Sequence, residues 1–132
     1  MTKKKCIIIL MALLLMTPVL IILNLYRISM NTGLPGRRGG PQDAFRHTYS
    51  TALASRYISP EFVKTFTYYT EPDDHSPYDR MDRHNNNIGS HLGQIEGDLY
   101  EMVLSKVSEA QIDSKDPTVL TLLPEKDWDN GL

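Results

Sequence analysis

The sequence predicts an all-α protein in which one N-terminal transmembrane helix precedes a small bundle of about four helices. An uncharged apolar run extends from residue 6 to residue 26, and about 20 apolar residues suffice for a helix to cross a bilayer. After residue 40, apolar residues recur at spacings of three and four, which is the period of an α-helix. We find no convincing pair of strands. At 132 residues, the chain has room for one domain beyond the membrane segment.

The N-terminal segment predicts a single-pass membrane protein. Residues 1–5 include Lys3, Lys4 and Lys5, and this basic end favours a cytoplasmic N-terminus. We interpret residues 6–26 as an uncleaved signal-anchor, because the exit lacks the small residues of a signal cleavage site. A cleaved signal peptide and a buried core helix are the alternatives. Arg27 favours the opposite orientation, but the early position of the span favours export. We therefore predict the inner (cytoplasmic) membrane, with the C-terminal body periplasmic or extracellular.

The remaining elements follow from glycine, proline and helix-capping residues. Residues 27–40 are rich in glycine and proline and predict a flexible linker. Residues 41–112 predict the helical domain, with helices that start at Pro41, at Ser59-Pro60, at Ser76-Pro77 and near Gln94. The helical period predicts these buried residues: Phe45, Tyr49, Ala52, Leu53 and Tyr57 in the first of the four helices, Phe62, Val63, Phe66 and Tyr69 in the second, and Ile95, Leu99, Met102, Val103 and Val107 in the fourth.

The C-terminal residues and the charge balance narrow the function classes. Residues 113–132 predict a weakly structured tail, within which Val119, Leu120, Leu122 and Leu123 could pack as a short segment. Beyond Met30 the chain has ten Lys and Arg against sixteen Asp and Glu, a net charge of −6. Such an acidic body is a poor partner for nucleic acid, whose binding depends on phosphate neutralisation. The one cysteine, Cys6, lies at the membrane edge, which leaves the body without a disulfide or a Cys/His catalytic pair.

The densest polar stretch, residues 78–89, predicts a functional site on the third helix of the domain. Consecutive asparagines are poor helix formers, and buried amides need hydrogen-bond partners. Together with polar residues nearby, this stretch supplies groups that could bind a divalent metal or transfer protons. The predicted catalytic residues are His47, Glu71, Asp82, His84, Asn85 and Asn86, and His47, Glu71, Asp82 and His84 are the predicted metal ligands. A structural polar network between helices is the alternative explanation.

These residues resemble a poorly characterised bacterial family of envelope and toxin-associated proteins. Its signature is an Asp-Ala-Phe-Arg-His helix, a His-Glu pair and Met-Asp-x-His-Asn-Asn-x-x-Gly. Here Asp43 to His47 and Met81 to Gly89 match, and the resemblance covers roughly residues 40–95. Thr70-Glu71 stands where the family has His-Glu, so one polar group is missing unless His75 replaces it. The resemblance implies a hydrolase-like activity.

Two functions fit the sequence. The first is a membrane-anchored hydrolase that acts on an envelope component, either with a divalent metal bound by His and carboxylate ligands or without one. In it, His47 or His84 serves as general base, Glu71 and Asp82 hold a metal or orient the histidine, and the asparagines stabilise an oxyanion. The second is a non-enzymatic, membrane-tethered binding, immunity or exclusion protein that uses a degenerate form of the same fold. The substrate and the protein partner stay open at this point.

Overall fold

The computed structural model describes residues 2–70 and 76–131 and confirms the predicted fold class. The described residues form a long apolar helix followed by a helical bundle. Its helices are α1 (Lys3–Asn31), α2 (Pro41–Tyr57), α3 (Pro60–Thr70), α4 (Pro77–Leu92) and α5 (Leu99–Ser108). Two short strands, β1 (Gln111–Ile112) and β2 (Thr121–Leu122), and one 3₁₀ turn, Glu125–Asp127, follow. α1 is long and apolar enough to cross a membrane.

The starts of α2, α3 and α4 agree with the residues that predict them. Proline occupies the first turn of α2 and α4, where its missing N–H costs no hydrogen bond. The Ser59 hydroxyl accepts a hydrogen bond from the Phe62 amide at 3.0 Å, and the Ser76 hydroxyl accepts one from the Asp79 amide at 3.1 Å. Capping groups of this kind replace hydrogen bonds that the first turn of a helix cannot form internally.

α2 and α4 form the centre of the domain, and two glycines of α4 set their spacing. A Cβ added to Gly89 would lie 2.1 Å from the Thr51 hydroxyl and 2.4 Å from the Thr48 carbonyl oxygen. A Cβ added to Gly93 would lie 2.4 Å from the Ala52 carbonyl oxygen. The two helices therefore approach closely because α4 has no side chain at these positions.

The apolar core lies beside this contact. A larger cluster joins α2, α4 and α5, and a smaller one joins α2 and α4 to the C-terminal residues. The buried members of the larger cluster are Phe45, Ala52, Ile88, Leu92, Leu99, Val103, Val107 and Leu120, and those of the smaller are Ala44, Met81, Leu122 and Leu123. The predicted α2 face is thus confirmed at Phe45 and Ala52, whereas Tyr57 is 76% exposed.

α3 turns a different face to the core from the one that its aromatic residues predict. Val63 and Thr67 are buried, whereas Phe62, Phe66 and Tyr69 are 45%, 57% and 75% exposed. The predicted burial of these three aromatic residues is therefore wrong. Val63 and Thr67 are four positions apart and define one helical row, and that row, which includes a threonine, is the one that packs against the bundle.

α5 begins later than predicted. Residues 93–98 form turns, and the Asp98 carboxylate caps α5 by accepting hydrogen bonds from the Tyr100 and Glu101 amides. Ile95 is 51% exposed, so its predicted burial is wrong. Leu99, Val103 and Val107 are buried, as the helical period predicts.

The C-terminal segment, residues 111–131, is packed against the bundle, so the prediction of a weakly structured tail is wrong. β1 and β2 pair in parallel, which also corrects the prediction that no strands pair. Leu120, Leu122 and Leu123 are buried, and the Trp128 indole N–H donates to the Leu123 carbonyl oxygen at 2.8 Å. The apolar side chains of this segment therefore complete a core that four short helices leave incomplete.

The predicted linker is held by the C-terminal segment and is not a flexible connection. α1 continues through residues 27–31, and the backbone of Arg38 pairs with that of Asp129. The Leu123 amide donates to the Gly39 carbonyl oxygen at 2.9 Å. Gly36 and Gly40 lie against the Trp128 ring, where an added Cβ would be within about 3.1 Å of ring atoms. Backbone pairing thus orders a stretch that composition alone predicts to be flexible.

Replacing Gly89 with alanine should destabilise the α2–α4 contact. The new methyl group would overlap Thr48 and Thr51, and overpacking of this kind typically costs about 1–3 kcal/mol. Chemical denaturation of the full chain in detergent, followed by the fluorescence of the single tryptophan, Trp128, measures the change. Asn87→Ala, an exposed position on the same helix, is the control and should leave stability unchanged. Equal stability of the two variants would contradict the assigned role of Gly89.

Candidate active site

The side chains that come together at the candidate site are Asp43 and His47 of α2 and Asp82 of α4. The His47 Nε2 atom lies 3.5 Å from the Asp43 Oδ1 atom and 3.4 Å from the Asp82 Oδ2 atom. One ligand atom from each of the three residues lies within 4.8 Å of the other two. We refer to Asp43, His47 and Asp82 as the Asp–His–Asp cluster. Asp43 and His47 are four positions apart on one helix, which places them on the same face.

Asp43 is the most enclosed member of the cluster and is held from two sides. Its side chain is 1% exposed. The Oδ2 atom accepts a hydrogen bond from the Gly39 amide at 2.7 Å, and the Oδ1 atom pairs with the Arg46 guanidinium. Arg46 in turn donates to the Arg37 carbonyl oxygen at 3.2 Å. These contacts fix the position of the carboxylate before any ligand binds.

The surroundings of His47 favour the neutral imidazole. Burial lowers the pKa of His47 below 6.5, and this effect outweighs the opposing effect of the Asp43 carboxylate. The Arg46 charge lowers the pKa further, while a hydrogen bond with the Asn86 side chain raises it. A neutral imidazole at neutral pH is the form that acts as a metal ligand or as a general base.

Only part of the predicted site is brought together in the described residues. His47, Asp82 and Asn86 meet, and Asn86 contacts His47. Glu71, and the possible substitute His75, lie outside the described residues. Asp43 and Arg46 were not among the predicted site residues. The spacing of four between Asp43 and His47 was the signal that could have identified Asp43, since both side chains project from one helical face.

His84 and Asn85 face the C-terminal segment, which corrects the prediction that they share a pocket with His47. The His84 Nε2 atom lies 2.8 Å from the Val119 carbonyl oxygen. Asn85, which is 0% exposed, donates to the Thr121 carbonyl oxygen at 3.0 Å and accepts from the Thr121 amide at 2.9 Å. Successive helical residues are rotated by about 100°, so the row of Asp82 and Asn86 faces α2 while its neighbours face elsewhere.

The two carboxylates of the cluster, those of Asp43 and Asp82, line a cavity of about 420 Å³. We call it the arginine cavity because three guanidinium groups line it. Its lining residues are Tyr26, Arg37, Arg38, Asp43, Arg46, Asp82, Asp129 and Gly131. His84 lines a different cavity, together with Arg80, Met81 and residues of the C-terminal segment. The arginine cavity therefore gives the cluster a route to ligands that His84 does not share.

Asn85→Ala should destabilise the protein because it removes both hydrogen bonds to the Thr121 backbone. Leaving a buried donor or acceptor unpaired costs about 1–3 kcal/mol for each group. Denaturation followed by Trp128 fluorescence reports on this loss directly, since Trp128 lies in the C-terminal segment. Asn87→Ala removes an exposed amide two residues away and should change stability by less than about 0.5 kcal/mol. A loss in Asn85→Ala no larger than in Asn87→Ala would refute this assignment.

The lowered pKa of His47 predicts that acid destabilises the fold. With a folded pKa below the unfolded value of 6.5, the unfolded state binds more protons as the pH falls past 6.5, so the free energy of unfolding decreases there. The decrease ends once the pH falls below the folded pKa. Denaturation of the full chain with chelator present, between pH 7.5 and 5, measures the slope.

Two variants isolate the contribution of His47 to this slope. His47→Gln should flatten it, because the variant lacks the buried imidazole whose pKa is lowered in the folded state. His91→Gln removes an exposed imidazole on α4 and should leave the slope as in the unmodified chain. The pH prediction fails if both variants keep the same slope.

Comparison with known proteins gives one match, to a family model. That model is described as a domain of unknown function, DUF6973, and it matches residues 21–115. No curated protein matches the chain, and no solved structure matches it. The matched residues include the whole Asp–His–Asp cluster, the contact between α2 and α4, and the end of α1. The chain therefore belongs to the DUF6973 family, a poorly characterised family of unknown function.

Proposed function

We propose that this protein is a membrane-anchored hydrolase of the bacterial envelope in which the Asp–His–Asp cluster binds a divalent metal ion. The observation that carries the proposal is the convergence of three ligand atoms within 4.8 Å beside an accessible cavity. An N-terminal span, residues 6–26, with the body on the outer side of the inner membrane would place this site at an envelope substrate. The domain would then comprise residues 41–112 together with the packed C-terminal segment.

The distances in the cluster fit a metal. The His47 Nε2 atom is 3.5 Å from the Asp43 oxygen and 3.4 Å from the Asp82 oxygen. In a tetrahedral site with bonds of about 2.1 Å, neighbouring ligand atoms lie about 3.4 Å apart. Three protein ligands also leave one position for water or substrate, as catalytic zinc sites do.

The charges of the Asp–His–Asp cluster also favour a bound metal ion. Two carboxylate oxygens and an imidazole nitrogen face one another at close range, and the lone pairs of these atoms repel. A neutral imidazole can donate the Nε2 hydrogen to only one carboxylate, and burial disfavours the doubly protonated form. A divalent cation would bind all three atoms at once, with the Asp43 Oδ1 atom shared between the cation and the Arg46 guanidinium.

The roles of the residues follow from their contacts. Bound metal would polarise the scissile bond and supply an activated water at neutral pH. In the net reaction, the water oxygen bonds to the acyl or phosphoryl centre, the ester bond breaks, and a proton passes to the leaving oxygen. Asn86 orients His47, and Arg46 and the Gly39 amide hold Asp43, as groups behind a metal ligand commonly do.

The non-enzymatic alternative is favoured by a separate observation on α3. Phe62, Phe66, Tyr68 and Tyr69 are 45–75% exposed, and the first two rings stack at 5.9 Å. An exposed aromatic face of this kind is typical of surfaces that bind another protein. A binding, immunity or exclusion protein would use this face and need no metal.

Metal content and hydrolysis distinguish the two functions. We expect the full chain, purified in detergent, to contain stoichiometric metal by elemental analysis and to melt at a lower temperature after chelation. It should also hydrolyse a carboxylic or phosphoric ester in a chromogenic panel. His47→Ala and Asp82→Asn should each reduce metal occupancy and hydrolysis by about 100-fold.

His91→Ala is the matched control, because it removes an exposed histidine of α4 and should change neither quantity. Trp128 fluorescence melting of every variant shows whether the fold is kept. Absence of both metal and hydrolysis in the folded chain would refute the hydrolase proposal and leave the binding alternative.

A further inference from the structure

Two arginines of the arginine cavity are held in place without a carboxylate partner. Among residues 2–70 and 76–131, Arg37 and Arg38 line the cavity together with Asp43, Asp82 and Asp129, and neither of these two arginines forms an ion pair with a carboxylate. One N–H of Arg37 donates to the Tyr26 hydroxyl at 2.9 Å. The central carbon of the Arg38 guanidinium lies 4.2 Å from the centre of the Tyr78 ring.

These contacts orient the guanidinium groups and leave most of their donors available. Stacking on an aromatic ring uses the face of a guanidinium, whereas the N–H groups lie along its edge. Arg37 has five N–H donors, of which the Tyr26 hydroxyl accepts one. Two planar forks that share one cavity suit an anion with several oxygens, and phosphate is bound in this way by arginine.

The three positively charged arginines of the cavity contrast with the net negative charge of the body. Beyond Met30 the net charge is −6, so general attraction of anions does not explain a cavity lined by three guanidinium groups. Three carboxylates, those of Asp43, Asp82 and Asp129, line the same cavity, and the first two belong to the Asp–His–Asp cluster. An anion held by Arg37 and Arg38 would therefore lie beside that cluster.

The cavity is located at the end of the apolar run of α1. Tyr26, which lines the cavity, is the last residue of the apolar run, and the next residue, Arg27, is the first charged residue after that run. Tyrosine is enriched where transmembrane helices meet water. The contact between α1 and α2 fixes this arrangement, since the Gln42 amide donates to the Ser29 carbonyl oxygen at 3.2 Å and Arg46 lies over the Tyr26 ring at 5.6 Å.

We propose that Arg37 and Arg38 form a phosphate-binding subsite, which receives the phosphate ester group of the substrate at the membrane surface. This inference rests on the proposed function, because it assigns the substrate class of the same site. A phospholipid headgroup and a soluble phosphate ester share the chemistry that the subsite recognises. The position at Tyr26 favours the headgroup, whose phosphate lies at the depth where α1 leaves the membrane.

The test measures binding by the full chain with two probes. One is phosphatidic acid in phosphatidylcholine nanodiscs, and the other is glycerol 3-phosphate added to nanodiscs of phosphatidylcholine alone. We expect phosphatidic acid to raise the melting temperature, with Arg37→Gln/Arg38→Gln weakening its affinity about tenfold or more, because the variant loses the charge-assisted hydrogen bonds to the phosphate. Binding of both probes would also support the subsite and add soluble esters to its substrates.

Arg27→Gln is the matched control. It removes an exposed arginine at the same membrane boundary that does not line the cavity, so it should leave the affinity unchanged. An equal loss in Arg27→Gln and in Arg37→Gln/Arg38→Gln would show general attraction to anionic lipid and overturn the proposal. Failure of both probes to bind the unmodified chain would overturn it as well.

Two further variants keep the result interpretable. Arg37→Lys/Arg38→Lys retains the charge and the aliphatic stems but loses the planar forks, so we expect an intermediate affinity; an affinity equal to that of the unmodified chain would overturn the assigned geometry. Asp82→Asn should bind phosphatidic acid while it loses metal and hydrolysis. If Asp82→Asn binds phosphatidic acid and neither the unmodified chain nor any variant hydrolyses esters, the phosphate-subsite proposal is supported and the hydrolase proposal is refuted. If the unmodified chain hydrolyses esters that lack phosphate and binds neither probe, the phosphate-subsite proposal is refuted and the hydrolase proposal is kept.

Discussion

The close approach of α2 and α4 is the constraint on which the candidate site depends. An added Cβ at Gly89 would lie 2.4 Å from the Thr48 carbonyl oxygen, a distance that no real side chain tolerates. Because the helices meet at backbone distance there, Asp82, two turns earlier on α4, reaches His47 of α2 at 3.4 Å. A wider spacing between α2 and α4 would separate these side chains, because the single methylene group of Asp82 is too short to bring its carboxylate to His47 over a larger distance.

The C-terminal segment supports this arrangement from the other side of α4. Asn85 is bound to both backbone groups of Thr121, and Leu122 and Leu123 pack with Met81 and Ala44. The same segment pairs with the Arg38 backbone, which leads directly into α2. Asn85 thus joins α4 to the C-terminal segment. That segment in turn pairs with a residue shortly before the start of α2, the helix that carries Asp43 and His47. This contact gives Asn85 a structural role that its neighbour Asn86, which contacts His47, does not have.

Local signals in the sequence predicted the elements well and their contacts less well. The starts of α2, α3 and α4 follow from proline and serine within a few residues, which is why they were predictable. The buried face of α3 was not, because Phe62 and Phe66 are more apolar than the Val63–Thr67 row that packs. The position of the C-terminal segment depends on its pairing with residues 36–39 and on its hydrogen bonds with Asn85. A local sequence pattern cannot predict contacts between residues so far apart in the chain. The polar run on α4 indicated a site, but the face that each of its residues takes depends on which neighbours surround the helix.

The junction of α1 with α2 links the candidate site to the long apolar helix. Ser29 is 1% exposed, which is unusual for a residue at the end of an apolar anchor, and its carbonyl oxygen binds Gln42 at the first turn of α2. A flexible tether would let the body adopt any orientation, whereas this buried contact holds Asp43 and His47, one and five positions after Gln42, at a set place relative to Tyr26. The apolar helix therefore holds a set position relative to the site, and the family match, which begins at residue 21, includes the part of α1 that makes this contact.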